Sequence, residues 1–191
     1  MINRTNLVLL CILLSSFQLS AQSKHGLFGL AEGGVAYGEE ANFVGQAAIG
    51  YRFMHQWHAG VGAGINASYV RHAPVFATLR YDLTNKPNTF FLLANSGVTL
   101  PWFNDKQWPE YHSKADKISP GSYFQGGIGF KTRFAKHADF ILSASYAHSD
   151  FNIQYKFSPL AMFMPPESSY IIENYAYKFN QICITAGFQL W

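Results

Sequence analysis

From Trp57 to Val70 the chain reads WHAGVGAGINASYV and alternates without a break. Trp57, Ala59, Val61, Ala63, Ile65, Ala67 and Tyr69 share one parity; His58, Gly60, Gly62, Gly64, Asn66 and Ser68 share the other. Successive side chains of a strand point to opposite faces. The stretch is therefore a strand with one apolar face, aromatic at both ends, and one small polar face. It is far longer than the ~5–6 residues usual in soluble domains. It matches the ~9–11 residues that a tilted strand needs to cross a bilayer, with an overhang.

The pattern recurs. Phe43, Ala47, Ile49, Tyr51 and Phe53 alternate with Asn42, Gln46 and Arg52. Val75, Ala77, Leu79, Tyr81 and Leu83 alternate with Thr78, Arg80 and Asp82. Phe90, Leu92, Ala94, Val98 and Leu100 form the apolar set of a fifth segment. In the sixth, Phe124, Ile128, Phe130 and Phe134 oppose Gln125, Lys131 and Arg133; in the seventh, Phe140, Leu142, Ala144 and Tyr146 oppose Asp139, Ser143 and Ser145. The last sets Ile182, Ile184, Ala186, Phe188 and Leu190 against Gln181, Thr185 and Gln189. The first is the least regular, with Leu27, Ala31, Val35 and Tyr37 on one side and Glu32 on the other.

Eight such strands predict an all-β fold, an eight-stranded antiparallel transmembrane barrel of up-and-down meander type. An open sheet edge in hydrocarbon would leave backbone N–H and C=O groups unpaired, and closure removes the edge. Alternation alone does not say which face is inside; the charges do. Glu32, Arg52, Arg80, Asp82, Lys131, Arg133 and Asp139 all fall on the polar parity. A charge facing lipid at mid-depth costs ~2–4 kcal/mol, so the polar face is predicted inward. Eight strands leave room for side chains and little else, so these charges read as an ion-paired filling. The connections alternate in length as well. MHQ, NKPN and AKH are tight turns, whereas residues 101–121 and 150–178 form two long loops. Barrels of this kind place short turns in the periplasm and long loops outside. Segments such as FNIQYKF inside the last loop predict strands that run beyond the membrane.

Composition adds to this picture. Apolar residues make up 49% of the 191 and charged residues 13%, half the ~25% usual in soluble domains. The mature chain has no apolar run of the ~20 residues that a spanning helix requires. Arg4, the run LVLLCILL and the small residues of LSAQS predict a signal peptide over 1–21, leaving 22–191 as the barrel domain. Cys11 is not in a lipoprotein context, because Leu10 precedes it where a small residue is expected. Cleavage leaves Cys183 alone, so no intramolecular disulfide can staple the fold. A net charge of +3 with no basic cluster gives no footprint for nucleic acid.

The signal ending in SAQS, the texture of GVGAGINASY and GGIGFKTRF and the terminal AGFQLW together resemble the small outer-membrane β-barrel proteins. The resemblance is to the OmpA-type transmembrane domain and the OmpX-like barrels, in the form common in Bacteroidota, and it covers essentially the whole mature chain. It implies residence in outer-membrane lipid and handling by the barrel assembly machinery. It also implies that the closing strand is the assembly signal, here Phe188, Leu190 and Trp191. Trp191 falls one residue past the lipid-facing register of Phe188 and Leu190, and is expected at the periplasmic interface.

Candidate chemistry is sparse, and no cofactor is expected. Some eight-stranded outer-membrane barrels are lipid A deacylases with a Ser-His-acid site at the outer rim. YAHSD offers His148, Ser149 and Asp150, but neighbours on a strand face opposite ways and the spacing does not match. His55 and His58 have H-x-x-H spacing but lack the further ligands that zinc requires. Cys183 reads as a buried, inert thiol. Leu160, Met162, Phe163 and Met164, at the tip of the last loop, form a candidate contact patch for a surface partner; the bland alternative packs them on Trp102 and Trp108. The leading expectation is a non-enzymatic barrel with a structural or surface-interaction role. A barrel enzyme acting on lipid A or phospholipid, and a narrow small-solute channel, are the alternatives.

Overall fold

The structure is a computed structural model that describes residues 26–53, 56–102, 115–157 and 171–191. The signal segment 1–21, His55, Trp108 and the patch Leu160, Met162, Phe163 and Met164 lie outside these residues. Nine strands follow in order: β1 (Gly26–Tyr37), β2 (Ala41–Arg52), β3 (Trp57–Asn66), β4 (His72–Asp82), β5 (Thr89–Pro101), β6 (Ala115–Ser119), β7 (Gly121–Ala135), β8 (Ala138–Phe157) and β9 (Ile171–Leu190). From β1 to β5, and again from β7 to β9, consecutive strands pair antiparallel; β5 pairs with β7, β6 pairs with β8, and β1 pairs with β9 to close the sheet.

The barrel has eight staves, because β6 and β7 share one edge of β8. Ser119 pairs with Asn152, and Tyr123 pairs with Ser149 further down the same strand. Pro120 lies between them and has no N–H to give to a ladder, so one long wall strand breaks into two. The long loop 101–121 therefore contains a strand of its own, which alternation did not reveal. The two strands that frame the last loop are the longest: β8 and β9 are each 20 residues, or about 65 Å at ~3.3 Å per residue.

The alternation becomes an inside and an outside. Along β4, His72, Pro74, Phe76, Thr78, Arg80 and Asp82 are buried, while Val75, Ala77 and Leu79 are exposed. Large apolar side chains lie on the outer surface of every stave, among them Ile49, Val61, Leu92, Ile128 and Ile184. At the short-turn end, ring pairs ring the outside: Trp57 with Tyr81, Phe90 with Phe130, and Phe140 with Phe188. At the other end Tyr37, Phe43, Phe124 and Tyr146 face out. Between Phe43 and Tyr51 of β2 lies an apolar band about 20–25 Å tall once strand tilt is allowed for.

The interior is not wholly polar. Phe28, Phe76 and Phe91 turn inward, and each stands directly across from a glycine of the neighbouring strand: Gly50, Gly62 and Gly129. The glycines are what admit the rings. A Cβ on Gly50 would lie 2.6 Å from Phe28 Cε1, and one on Gly62 2.7 Å from Phe76 Cε2. Leu30, Leu93 and Ile141 complete an apolar cluster with Phe28 and Phe91. A narrow lumen is thus filled by three rings packed on bare backbone, with polar side chains in the remaining space.

Candidate functional site

Among the described residues, the filled lumen is the interior available for chemistry, and its polar groups stack in layers. At the short-turn mouth, Trp191 continues the alternation past Leu190 and turns inward. Its Nε1 donates to Asp139 Oδ2 at 3.0 Å. The Arg133 and Arg52 guanidiniums lie 4.3 and 5.0 Å from the indole centroid, and Arg133 Nε reaches Asp139 Oδ1 at 3.3 Å. The sequence pattern placed Trp191 at an interface; the structure makes it a plug, because the indole N–H finds its acceptor inside. Arg52 and Arg133 likewise belong to the mouth and not to the deep filling. They occupy the last inward positions of their strands, and the Arg133 side chain is 41% exposed.

Above the plug, Asp82 is shared between His58 Nε2 at 3.1 Å and an ion pair with Lys131. His58 is a buried member of β3 whose ring packs edge-on with that of Phe28. The next layer is centred on Glu32. Arg80 Nη2 donates to its Oε1 at 2.8 Å, Gln46 Nε2 to its Oε2 at 2.6 Å, and Thr185 Oγ1 to Oε2 at 3.3 Å. One carboxylate therefore holds β1, β2, β4 and β9 together. Higher still, Asn95 Nδ2 and Tyr123 OH both donate to Gln125 Oε1, and Gln125 Nε2 donates to Ser145 Oγ. Cys183 is buried beside Tyr123, Phe76 and Ala147 as a free thiol.

In the uppermost layer, Asn66 Nδ2 donates to Gln181 Oε1, and Ser149 Oγ lies 3.2 Å from His72 Nε2. His72 Nδ1 is 3.0 Å from the Val70 carbonyl. That contact requires the proton on Nδ1 and leaves Nε2 to accept from Ser149. This is the geometry of a nucleophile and its base, formed between residues 77 positions apart. His148 plays no part: it bonds Asn180 on the outer face, while Asp150 accepts from the Ser122 backbone N–H. Ser149 and His72 are 3% and 2% exposed. They are roofed by Phe151, Tyr177 and Phe179, whose rings stack at 5.4 and 5.7 Å from Phe151. No acyl group reaches Ser149 Oγ through that roof in this arrangement. A cavity of about 30 Å³ remains below it, lined by Asn66, His72, Gln125, Ser149 and Gln181 among others. It sits where the β3–β4 ladder skips Gly64 and Ile65 opposite Pro74.

With this geometry in view, the comparisons are informative about shape. No protein-family model and no curated protein matches the chain in sequence. Solved structures match it in fold. The neisserial surface protein A (NspA) aligns over 88% of this chain and 97% of its own, with a TM-score of 0.55 and 13% identity. The outer membrane protein OprG from Pseudomonas aeruginosa aligns over 87% and 92%, with a TM-score of 0.52 and 12% identity. The shared property is the fold. This chain is a closed eight-stranded antiparallel barrel of the kind solved for outer-membrane proteins. At such identity the likeness extends to the staves and not to any side chain of the lumen.

Sequence reasoning reached the inward charges by parity alone, and the structure adds their partners. Glu32 meets Arg80, Asp82 meets Lys131, and Asp139 meets Arg133. His72 was overlooked. Its parity with Arg80 and Asp82 on β4 was the available signal.

Proposed function

We propose that the chain is an integral outer-membrane barrel, exported by residues 1–21, that is anchored by its apolar belt and acts through its long-loop end. Loops 101–121 and 150–178 face the cell exterior in this reading and serve as a contact surface for another surface component. The barrel wall is a rigid, non-catalytic support. The observation that carries the proposal is an outer apolar belt around a lumen filled with side chains, with Trp191 at one mouth and the Phe151, Tyr177 and Phe179 stack at the other. A filled lumen argues against solute passage, and the burial of Ser149 and His72 argues against access to that pair. The protruding β8–β9 hairpin supports the contact role, since it carries Ile172 and Tyr175 exposed beyond the level at which β1 ends on Ile182.

The test combines fractionation with a loop deletion. Full-length protein should be recovered in outer membranes with heat-modifiable gel mobility. Removing 160–166, the segment of Leu160, Met162, Phe163 and Met164, should leave that mobility intact while abolishing surface cross-links formed by the intact chain. Recovery as a soluble periplasmic protein would overturn the whole reading. Unchanged cross-linking after deletion would overturn the contact role of the loop.

A further inference from the structure

The two ends of the barrel differ in charge. At the long-loop end the described charges nearly balance, with Arg71, Lys117 and Lys178 set against Glu39, Glu40, Asp150 and Glu173. At the short-turn end they do not. Arg52, Lys86, Arg133 and Lys136 lie there with one side-chain carboxylate, Asp139, which is buried and already engaged by Arg133 Nε and Trp191 Nε1. In the layer above, Asp82 and Lys131 neutralise each other. Among the described residues no ion pair, to a side chain or to the terminal carboxylate, reaches Arg52, Lys86 or Lys136. Arg52 lies by the Trp191 ring, whereas Lys86 and Lys136 are exposed.

The two lysines share one side of the rim with Arg133. The β4–β5 turn that carries Lys86 is pinned to the base of β7, because Asn88 Oδ1 accepts from Thr132 Oγ1 at 2.9 Å and from the Arg133 backbone N–H at 3.4 Å. Lys136 lies in the adjoining turn, between β7 and β8. The outer wall directly above these turns is phenylalanine. Phe90 and Phe130 pair across β5 and β7 with centroids 5.1 Å apart, and Phe134 meets Phe188 at 6.1 Å. Phe134 is 75% exposed and stands two positions before Lys136. Aromatic girdles mark the headgroup level of a membrane barrel, and a lysine stem can lie along apolar surface while its ammonium stays in the polar layer. On the opposite staves the rim carries Arg52 alone, turned in to Trp191.

We infer that the short-turn rim of β5, β7 and β8 is a binding site for an anionic phospholipid, its phosphate neutralised by Lys86 and Lys136 and its acyl chains lying along Phe90, Phe130, Phe134 and Phe188. Two features together select this occupant. Uncompensated cations call for an anion, and each lysine or arginine near an anionic membrane surface strengthens the attraction roughly fivefold. A dissolved anion or an acidic protein would answer the cations and leave the rings beside them unused. A zwitterionic lipid would cover the rings and bring its own ammonium to the lysines. An anionic lipid meets both demands. The site rests on the reading of the apolar belt as membrane-embedded and adds a preference to it. The short-turn end favours a leaflet of anionic headgroups, and the nearly balanced long-loop end makes no such demand.

The test is native mass spectrometry of the full mature barrel, refolded in an equimolar mixture of phosphatidylglycerol and phosphatidylcholine and released from it. The wild type should retain phosphatidylglycerol over phosphatidylcholine by on the order of tenfold. Lys86→Gln/Lys136→Gln changes two exposed turn side chains and should abolish most of that preference. Lys117→Gln/Lys178→Gln removes the same charge at the other end and should leave the preference unchanged. Excess inorganic phosphate should not displace the retained lipid. Heat-modifiable mobility shows that each variant is folded. A folded wild-type barrel that retains the two lipids equally overturns the inference and leaves the membrane reading standing. Equal losses in the two double variants overturn it too, since net charge alone would then set the preference. Displacement of the lipid by inorganic phosphate does the same, by making the occupant a dissolved anion.

Discussion

Replacing Glu32 by alanine removes the single acceptor on which Arg80, Gln46 and Thr185 converge. The side chains of Arg80 and Glu32 are 3% and 0% exposed, so no bulk water reaches the guanidinium left behind. Breaking a buried pair from one side costs about 3–5 kcal/mol, mostly as the penalty of an uncompensated charge, whereas replacing both partners by apolar groups is often nearly neutral. Glu32→Ala should therefore destabilise by about 3–5 kcal/mol, and the double variant Glu32→Ala/Arg80→Met by no more than about 1–2 kcal/mol. Two Gln46 and Thr185 donors that lose their acceptor contribute to the remainder. The assay is urea unfolding of the refolded barrel in phospholipid vesicles, followed by tryptophan fluorescence, with all four corners of the cycle measured. Additive losses, with the double variant as poor as the sum of the singles, would refute the argument. So would a Glu32→Ala cost below about 1 kcal/mol, since an exposed pair is worth no more than that.

Two further perturbations probe the plug and the outer face. Trp191→Phe keeps a ring between Arg52 and Arg133 but loses the donor to Asp139, and should cost about 1.5–3 kcal/mol in the same unfolding assay. Deleting Trp191 should in addition lower the yield of inserted barrel in cells by more than the stability loss explains; normal insertion would count against a role in assembly. Ile128→Arg, mid-way along the outer face of β7, should cost about 2–4 kcal/mol in vesicles, and an unchanged midpoint would mean that this face does not meet hydrocarbon.

The outer surface was readable because one rule governs it. Period two assigned Ile49, Val61, Leu92 and Ile128 to one face, and the rarity of charge on that face fixed it as the outside. The lumen follows a different rule, which depends on register. Phe28, Phe76 and Phe91 break the polar parity of their strands, and nothing local licenses them. What admits each ring is a glycine across the ladder, and only the pairing of β1 with β2, β3 with β4 and β5 with β7 shows which glycine faces which phenylalanine. The Ser149–His72 contact has the same origin. The sequence places His148 beside Ser149 and misleads; the barrel's curvature brings a histidine from β4 across the lumen instead. Trp191 sits between the two cases. Strict alternation already carried it inward, but an aromatic at a chain end invites an interfacial assignment until Asp139 is seen at its Nε1. The break at Pro120 is explicable afterwards by its missing N–H, yet no periodicity survives in a strand of five residues.

The unequal length of the ladders has a consequence for how such a chain closes. β8 and β9 pair along their full 20 residues, from Ala138 with Leu190 to Phe157 with Ile171, so this hairpin joins residues near in sequence. The β1–β9 seam joins Tyr37 to Ile182 and Gly29 to Leu190, and nearly the whole chain must be looped out before its first bond forms. Loop-closure entropy rises with the length closed, and non-local pairings form late for that reason. The β8–β9 hairpin, like β1–β2 and β7–β8 with their shorter turns, can therefore exist as a ladder before the barrel does, and the β1–β9 seam is the ladder that forms last. Hydrogen exchange should register this as a polarity around the ring, with protection deepest in the β8–β9 amides and opening beginning at the β1 seam.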